Sequence, residues 1–244
     1  MTLVRNSSAP RLVAALGLVA TLLAACGTPT VTASPAPSPA TPEPVAPSFT
    51  LGPDPSNCPT SAPAAYSGKA TVVVHTNFGN ITIAVDGSLG PNAAGAFLAL
   101  AKCGYYNNVL IHRVVTSFVI QTGDGQYGRL PSFDPDKMGQ GSPGWTIPDD
   151  KVTTTYVRGT VAMARTSDAN SGSSQWFIVL DDSAQTTLGA STANNYAIFG
   201  SVTAGMNVVD AIAAVPLGGD NGSAGTASMP IIPVVITGTT VTMQ

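Results

Sequence analysis

Short runs of β-branched and apolar residues recur along the chain from Lys69 onward, and they constrain its fold more than any other feature. Runs of this kind, bounded by Gly, Pro and Asn, are typical of β-strands. They predict strands over 69–76, 80–85, 110–115, 119–121, 159–164, 175–180, 196–202 and 234–241. Helical spacing predicts only two helices, one beginning at Pro91 and one over 206–215. Because strands and helices do not alternate regularly, the pattern predicts a mainly β fold, a closed barrel rather than a doubly wound sheet.

The segment 26–67 differs in composition from everything that follows it. It is rich in Pro, Ala, Ser and Thr, and its only charged residues are Glu43 and Asp54. A segment of this kind has too few apolar side chains for a core and behaves as a semi-extended linker. We therefore predict a tether over 26–67 and one folded domain over 68–244.

The first 25 residues have the layout of a secretory signal peptide. Arg5 and Arg11 precede an uncharged apolar run over 12–25, and the end of this run, Leu23-Ala24-Ala25-Cys26, resembles the bacterial lipobox. That resemblance implies that Cys26 is lipidated and becomes the first residue. A short membrane anchor is the alternative, but the run is shorter than the ~20 apolar residues that a spanning helix needs. We expect an exported protein, anchored by lipid to the outer face of the cell membrane.

The charge of the mature chain argues against nucleic-acid binding. Removal of residues 1–25 takes away Arg5 and Arg11 and no acidic residue, which leaves eight basic side chains against thirteen acidic ones. The remaining Arg and Lys residues are scattered, whereas binding to phosphates relies on clusters of them. We expect no nucleic-acid partner.

Two cysteines remain after Cys26. In an exported protein two such cysteines often pair, and a bond between Cys58 and Cys103 would join the end of the predicted tether to the first helix. A buried free Cys103 with an unpaired Cys58 is the alternative. Two thiols without a nearby histidine make a weak case for zinc, and we expect no metal site.

Two short blocks carry the signal for function. One is Ile111-His112-Arg113-Val114-Val115-Thr116-Ser117-Phe118-Val119-Ile120-Gln121-Thr122-Gly123-Asp124, and the other combines Val161–Arg165 with Ser174–Ile178. Together they resemble the cyclophilin family, and the segment 139–150 resembles its glycine-rich loop. The resemblance implies a closed eight-stranded antiparallel barrel capped by two α-helices. It also implies cis/trans isomerisation of Xaa-Pro peptide bonds, without a cofactor or a metal.

The resemblance implies a site residue by residue. Rotation about a prolyl amide faces a barrier of about 18 to 20 kcal/mol, which an apolar pocket and a donor to the twisted nitrogen can lower. Arg113 is the implied donor, and it acts with Phe118 and Gln121 as the catalytic set. The implied substrate-binding residues are Val119, Ala164, Arg165, Phe177, Leu188 and Tyr196. We interpret His112 as structural, because it alternates to the opposite face of the strand from Arg113.

The chain also departs from the family pattern. Thr116-Ser117 replaces the usual Pro-Gly before the first pocket aromatic, Val119 replaces a methionine, and 189–195 resembles a small insertion. We interpret the pairs Asp149-Asp150 and Asp181-Asp182 as solvated turns, since neighbouring side chains diverge in an extended chain.

The sequence therefore leaves two functions open. The first is an isomerase that acts on proline-containing peptides and unfolded exported proteins, and the retained Arg113 favours it. The second is a surface-anchored, proline-recognising binding module with little or no turnover. In either case we expect a monomer.

Overall fold

The computed structural model of the chain describes residues 45–189, 196–219 and 228–244. The predicted signal peptide 1–25, the predicted lipidation site Cys26, residues 27–44 of the predicted tether and residues 190–195 of the predicted insertion lie outside these ranges. Among the residues that are described, no helix has the length and apolar content needed to cross a membrane.

Eleven strands and three helices make up the described chain. In order they are β1 (Lys69–Thr76), β2 (Gly79–Asp86), α1 (Pro91–Lys102), β3 (Val109–Leu110), β4 (Arg113–Val115), β5 (Val119–Thr122), β6 (Thr160–Met163), β7 (Trp176–Val179), α2 (Ala184–Leu188), β8 (Ile198–Ala204), α3 (Met206–Ala213), β9 (Leu217–Gly219), β10 (Met229–Pro230) and β11 (Val235–Met243).

Nine of these strands form one curled antiparallel sheet in the order β3-β11-β1-β2-β8-β6-β7-β5-β4. The prediction of a mainly β fold is confirmed, but the predicted closed, eight-stranded barrel is wrong in strand count and in closure. The single strand predicted over 110–115 is interrupted at Ile111 and His112, so that β3 pairs with β11 while β4 pairs with β5. The two edges of the sheet are therefore consecutive in the chain. A third helix, α2, was not predicted.

The core lies between the sheet and α1. Buried and half-buried residues alternate along β1 and β2, so that one face of this hairpin points inward. Phe97 of α1 meets three aromatic rings there, those of Tyr106, Trp176 and Phe199, with centroid separations of 5.6, 5.4 and 4.9 Å. This aromatic cluster fixes α1 against the strands that carry the site.

Asp150 holds the beginning of α1, and its interpretation as a solvated turn residue was wrong. Its side chain is buried, and it accepts hydrogen bonds from the backbone N–H groups of Asn92 (3.2 Å) and Ala93 (2.9 Å). The first N–H groups of a helix have no partner within the helix, and a carboxylate there also interacts favourably with the helix dipole. A residue 57 positions away in sequence supplies this cap.

Residues 49–66, which we call the strap, lie against the domain, although the sequence predicts a tether over 26–67. Gly52 exchanges hydrogen bonds with the side chain of Asn108, and the N–H of Ser56 donates to the carbonyl of Cys103 (3.0 Å). A disulfide joins Cys58 to Cys103. The strap is held mainly through its backbone, which explains why its composition resembles that of a free linker.

Candidate active site

The hairpin of β4 and β5 positions the predicted donor. Arg113 lies directly opposite Gln121 in this antiparallel pair, and Arg113 Nη1 donates to Gln121 Oε1 at 3.3 Å. A tight turn joins the strands, in which the N–H of Phe118 donates to the carbonyl of Val115 (3.0 Å) and Ser117 has a φ of 57°. The short turn brings Arg113, Phe118 and Gln121 to one side of the hairpin.

A small apolar cluster forms the floor beside this hairpin. Val119 of β5, Phe177 of β7 and Leu188 of α2 are all buried within it, and Phe118, Ala164 and Tyr196 pack against it. The rings of Phe177 and Tyr196 meet edge to face with centroids 5.4 Å apart. The cluster is separate from the core beneath α1, and Val119, Phe177 and Leu188 line a cavity on one side of it.

All nine residues that the resemblance implies line a single cavity of about 440 Å³. The structure therefore brings together the implied catalytic and substrate-binding residues, with none left elsewhere in the fold. His112, Gly139 and Gln140 also line this cavity, although the sequence did not indicate them as site residues. The cavity is an open groove with an apolar floor and a guanidinium at its edge.

Burial affects the two ionisable side chains at the start of the hairpin. It lowers the pKa of Arg113 from its usual value, while Tyr196 acts in the opposite direction, and a guanidinium so modified still carries its charge at neutral pH. Burial lowers the pKa of His112 to about 4, so this imidazole is neutral near pH 7. Of these two side chains, only Arg113 therefore brings a positive charge to the groove.

The opposite wall of the groove is a glycine-rich loop that one carboxylate organises. The fully buried Asp124 accepts hydrogen bonds from the N–H groups of Gly139 (2.7 Å) and Gly141 (3.0 Å), and from those of Gln126 and Tyr127. In the sequence, Asp124 stands out only as the last residue of the block that begins at Ile111. The loop partners lie 15 and 17 residues further on, where no pattern connects them to Asp124.

Gln175 joins the two walls. Its Nε2 donates to the carbonyl oxygens of Gly139 (2.9 Å) and Gly141 (3.0 Å), and its Oε1 accepts from Gln121 Nε2 (3.0 Å). A continuous series of hydrogen bonds thus runs from Arg113 through Gln121 and Gln175 to the loop. The role of Gln175 was missed, although its spacing of two from Phe177 is the signal that places both on one face of a strand.

Asp149 and Tyr156 contact Arg165 and Tyr196, the two cavity-lining residues that we call the rim. Asp149 is exposed, as its interpretation as a solvated residue predicts; it also accepts from the N–H of Asn170 (3.0 Å) and lies 3.8 Å from the guanidinium of Arg165. The hydroxyl of Tyr156 donates to the carbonyl of Tyr196 (2.8 Å). Burial raises the pKa of this phenol to about 12, which keeps it protonated as a donor.

Comparison with known proteins agrees with this geometry. The model of the cyclophilin type peptidyl-prolyl cis-trans isomerases matches residues 71–241. A probable peptidyl-prolyl cis-trans isomerase of Brucella abortus is 34% identical over 151 residues, which are 61% of this chain and 74% of the relative. A peptidyl-prolyl cis-trans isomerase of Streptomyces antibioticus is 34% identical over 172 residues, which are 68% of this chain and 95% of the relative.

Solved structures show the same fold. A cyclophilin type isomerase of Cryptosporidium parvum superposes with a TM-score of 0.58 at 23% identity, covering 72% of this chain and 99% of that one. The same protein in the presence of the dipeptide Ala-Pro superposes with a TM-score of 0.57 at 25% identity, over 71% of this chain and 99% of that one. The family match, the two relatives and the groove agree, and the chain belongs to the cyclophilin-type peptidyl-prolyl cis-trans isomerases.

Proposed function

We propose that this isomerase acts on Xaa-Pro bonds of exported proteins, assists their folding, and does so at the outer face of the membrane, where lipid on Cys26 holds it. The observation that carries the catalytic part is the position of Arg113. Its guanidinium lies at the edge of an apolar cluster and is held there by Gln121.

The chemistry needs selective stabilisation of a twisted amide. In the planar ground state the amide nitrogen is conjugated and is a poor acceptor, whereas in the transition state conjugation is lost and the nitrogen becomes basic. A donor that reaches the nitrogen only in the twisted state lowers the barrier without stabilising the ground state. The guanidinium of Arg113 is our candidate for this donor, because it presents several N–H groups in a fixed plane.

The apolar floor has a separate role. Val119, Phe177 and Leu188 form a surface on which a pyrrolidine ring removes apolar area from water, at about 25 cal/mol for each Å² buried. An apolar environment also disfavours the planar amide, which is the more dipolar state. We therefore assign the proline ring to this floor and its amide nitrogen to the side facing Arg113.

The rim supplies groups for the neighbouring peptide units. Gln121, Ala164 and Arg165 line the cavity beside the apolar floor, and we assign the side chain of Gln121 and the backbone groups of the other two residues as donors or acceptors for an extended substrate. The Cryptosporidium relative has been crystallised in the presence of Ala-Pro, which supports proline-containing peptides as the substrate class for this chain too.

Two features of this chain support export. Residues 1–25 have the layout of a signal peptide that ends at a lipobox-like Cys26. The disulfide between Cys58 and Cys103 suits an oxidising compartment, since disulfides are rare in the cytosol. Export of the enzyme makes newly exported polypeptides its substrates, because many of them must isomerise prolyl bonds before they fold.

The test of the catalytic assignment is a protease-free isomerisation assay on a panel of Xaa-Pro peptides, with Arg113→Ala and Arg113→Lys as the variants. A charge-assisted hydrogen bond contributes about 1.5 to 3 kcal/mol, so we expect kcat/KM to fall about 10- to 100-fold in Arg113→Ala. Arg113→Lys keeps the charge but loses the planar fork, and we expect it to recover only part of the activity. A folded wild-type protein without activity on any peptide would instead support the proline-binding module.

The test of the location is independent of activity. We expect wild-type protein to sediment with membranes and Cys26→Ser to appear in the soluble extracytoplasmic fraction, because a covalent lipid is the anchor that we propose. Sedimentation of Cys26→Ser with membranes would contradict lipid anchoring and leave the isomerase assignment unaffected.

A further inference from the structure

The strap contacts the wall of the groove through a tryptophan. Trp145 lies in the glycine-rich loop, four residues after Gly141, and its indole Nε1–H donates to the carbonyl of Pro59 in the strap at 3.0 Å. The indole is buried and belongs to the main core cluster. This single side chain of the loop therefore joins the loop to both the strap and the core.

The strap has a second contact beside the loop. Phe49 packs against a small cluster that contains the buried Met138, Leu110 and Val235. Met138 directly precedes Gly139, which lines the cavity and accepts a hydrogen bond from Gln175. The strap thus bonds directly to the loop at Trp145, and at its other end it packs against the apolar cluster to which Met138 belongs.

From these contacts the loop connects to the donor. Gly139 and Gly141 bond to Gln175, and Gln175 bonds to Gln121, which in turn accepts from Arg113. A displacement of the loop therefore changes the width of the groove and withdraws the two carbonyl acceptors that orient Gln175.

Two features of α1 accommodate the strap, a glycine within the helix and a disulfide at its end. Gly95 lies inside α1, where glycine is a poor helix former, and a Cβ at this position would collide with the carbonyl oxygen of Ala64. The disulfide between Cys58 and Cys103 anchors the strap to the end of the same helix. The family model begins at residue 71, so the strap lies ahead of the segment that the family shares.

We propose that the strap is a positioning element of the substrate groove: it holds the glycine-rich loop in place through Trp145 and supports the apolar cluster that contains Met138, and its release weakens substrate binding. This inference rests on the proposed isomerase function for its kinetic readout. Because the strap touches the loop and not the reacting atoms, its release raises KM more than it lowers kcat.

The test compares the two tryptophans of the chain, in full-length protein purified in detergent. Trp145→Phe removes the N–H that donates to Pro59. Trp176→Phe is the matched control, because Trp176 is also buried but its Nε1 has no hydrogen-bond partner within the described residues. We expect KM for an Xaa-Pro peptide to rise three- to tenfold in Trp145→Phe with kcat within twofold of wild type, and neither constant to change by more than twofold in Trp176→Phe.

A second variant displaces the strap without touching the loop. Gly95→Ala places one methyl group against Ala64, and we expect the same rise in KM, with kcat again within twofold of wild type. Equal KM values for wild type, Trp145→Phe and Gly95→Ala would overturn the proposal.

A readout without substrate separates this proposal from the proposed function. The amide hydrogens of Gly139 and Gly141 donate to Asp124, and we expect them to exchange with solvent at least tenfold faster in Trp145→Phe and Gly95→Ala than in Trp176→Phe. An inactive wild-type protein would contradict the isomerase function, yet faster exchange would still support the strap as the support of the loop. Unchanged exchange in both variants would overturn it whatever the activity.

Discussion

The groove has one wall of β-strands and one wall of loops, and different interactions hold the two. Arg113, Gln121 and Phe177 stand on strands whose backbones pair with each other, Gln121 lying opposite both of the other residues. The loop wall, 139–148, contains no strand or helix; it is fixed by Asp124 and Gln175 and by the contact of Trp145 with the strap.

This difference predicts different consequences of mutation. On the strand wall the backbone ladder persists when a side chain is removed, so a substitution acts on the chemistry or packing of that side chain alone. On the loop wall the backbone depends on a few side chains, so the loss of one changes the position of many groups. The following experiments test this contrast, from the largest expected effect to the smallest.

Asp124→Ala removes the side chain that organises the loop wall. Four backbone N–H groups lose their acceptor inside the protein, and we expect the free energy of unfolding to fall by about 4 kcal/mol, measured by urea denaturation. The matched control is Asp136→Ala, an exposed carboxylate close to the same loop, which we expect to change stability by less than about 0.5 kcal/mol. Equal changes in the free energy of unfolding in the two variants would contradict the view that a few side chains hold the loop wall.

Acid lowers the free energy of unfolding through His112, the residue directly before the strand β4. The pKa of this residue is about 4 in the folded protein, below the ordinary value of about 6.5 that applies when the chain unfolds. The unfolded state therefore binds more protons between these values, and the stabilisation present above pH 6.5 is lost as the pH falls toward 4. The loss is about 3 kcal/mol at most, at about 1.36 kcal/mol for each unit.

Urea denaturation at several pH values between 7 and 4 measures this dependence. We expect His112→Gln to have a flatter profile than wild type over this range. A wild-type profile unchanged by His112→Gln would show that another group causes the acid sensitivity.

Asp149→Ala loosens the part of the rim that carries Arg165. The carboxylate accepts from the N–H of Asn170 and lies beside the guanidinium of Arg165, whose side chain is only 7% exposed. We expect KM for Xaa-Pro peptides to rise about fivefold, which corresponds to about 1 kcal/mol, with kcat unchanged. Asp168→Ala, an exposed carboxylate in the same rim segment, serves as the control, and an equal rise in that variant would contradict a specific role for Asp149.

Ser117→Gly relieves backbone strain on the strand wall. Ser117 has a φ of 57°, where a side chain costs about 1 to 2 kcal/mol, and the greater freedom of glycine in the unfolded chain offsets part of the gain. We expect the unfolding midpoint to rise by the equivalent of about 0.5 kcal/mol with an unchanged denaturant slope. Thr116→Gly in the same turn is expected to lower stability, and stabilisation by both changes would point to a cause other than φ.

Much of the fold could be predicted from local patterns. The first hairpin was predicted over 69–76 and 80–85 and is observed at Lys69–Thr76 and Gly79–Asp86, because β-branched residues alternate across a Gly-containing turn. The helix α1 begins at Pro91 as predicted. The five-residue α2 was missed because so short a helix repeats no apolar face, and the interruption at Ile111 and His112 was missed because the run 110–115 has the composition of one strand.

The strand wall of the site could be predicted in the same way, and the loop wall could not. Arg113, Phe118, Gln121 and Phe177 belong to strands or turns whose sequences resemble a family pattern, and the structure places them in one cavity. The hydrogen bonds of Gln175 and Asp124 to the loop, and of Asp149 to Asn170, were not predicted. Each acts on backbone groups of a distant segment, and a backbone group has no identity in the sequence that could indicate such a partner.

The sequence by itself determined the mainly β fold, the residues of the strand wall and the family, because strand alternation and short motifs depend on residues close together in the chain. Only the tertiary structure decided that the strap packs against the domain and that a loop forms the second wall. Pro59 and Trp145 are 86 residues apart, and Gly139 and Gln175 are 36 apart. Contacts across such separations form through backbone atoms that every residue shares, so they leave no periodic or compositional signal, and the folded chain alone brings them together.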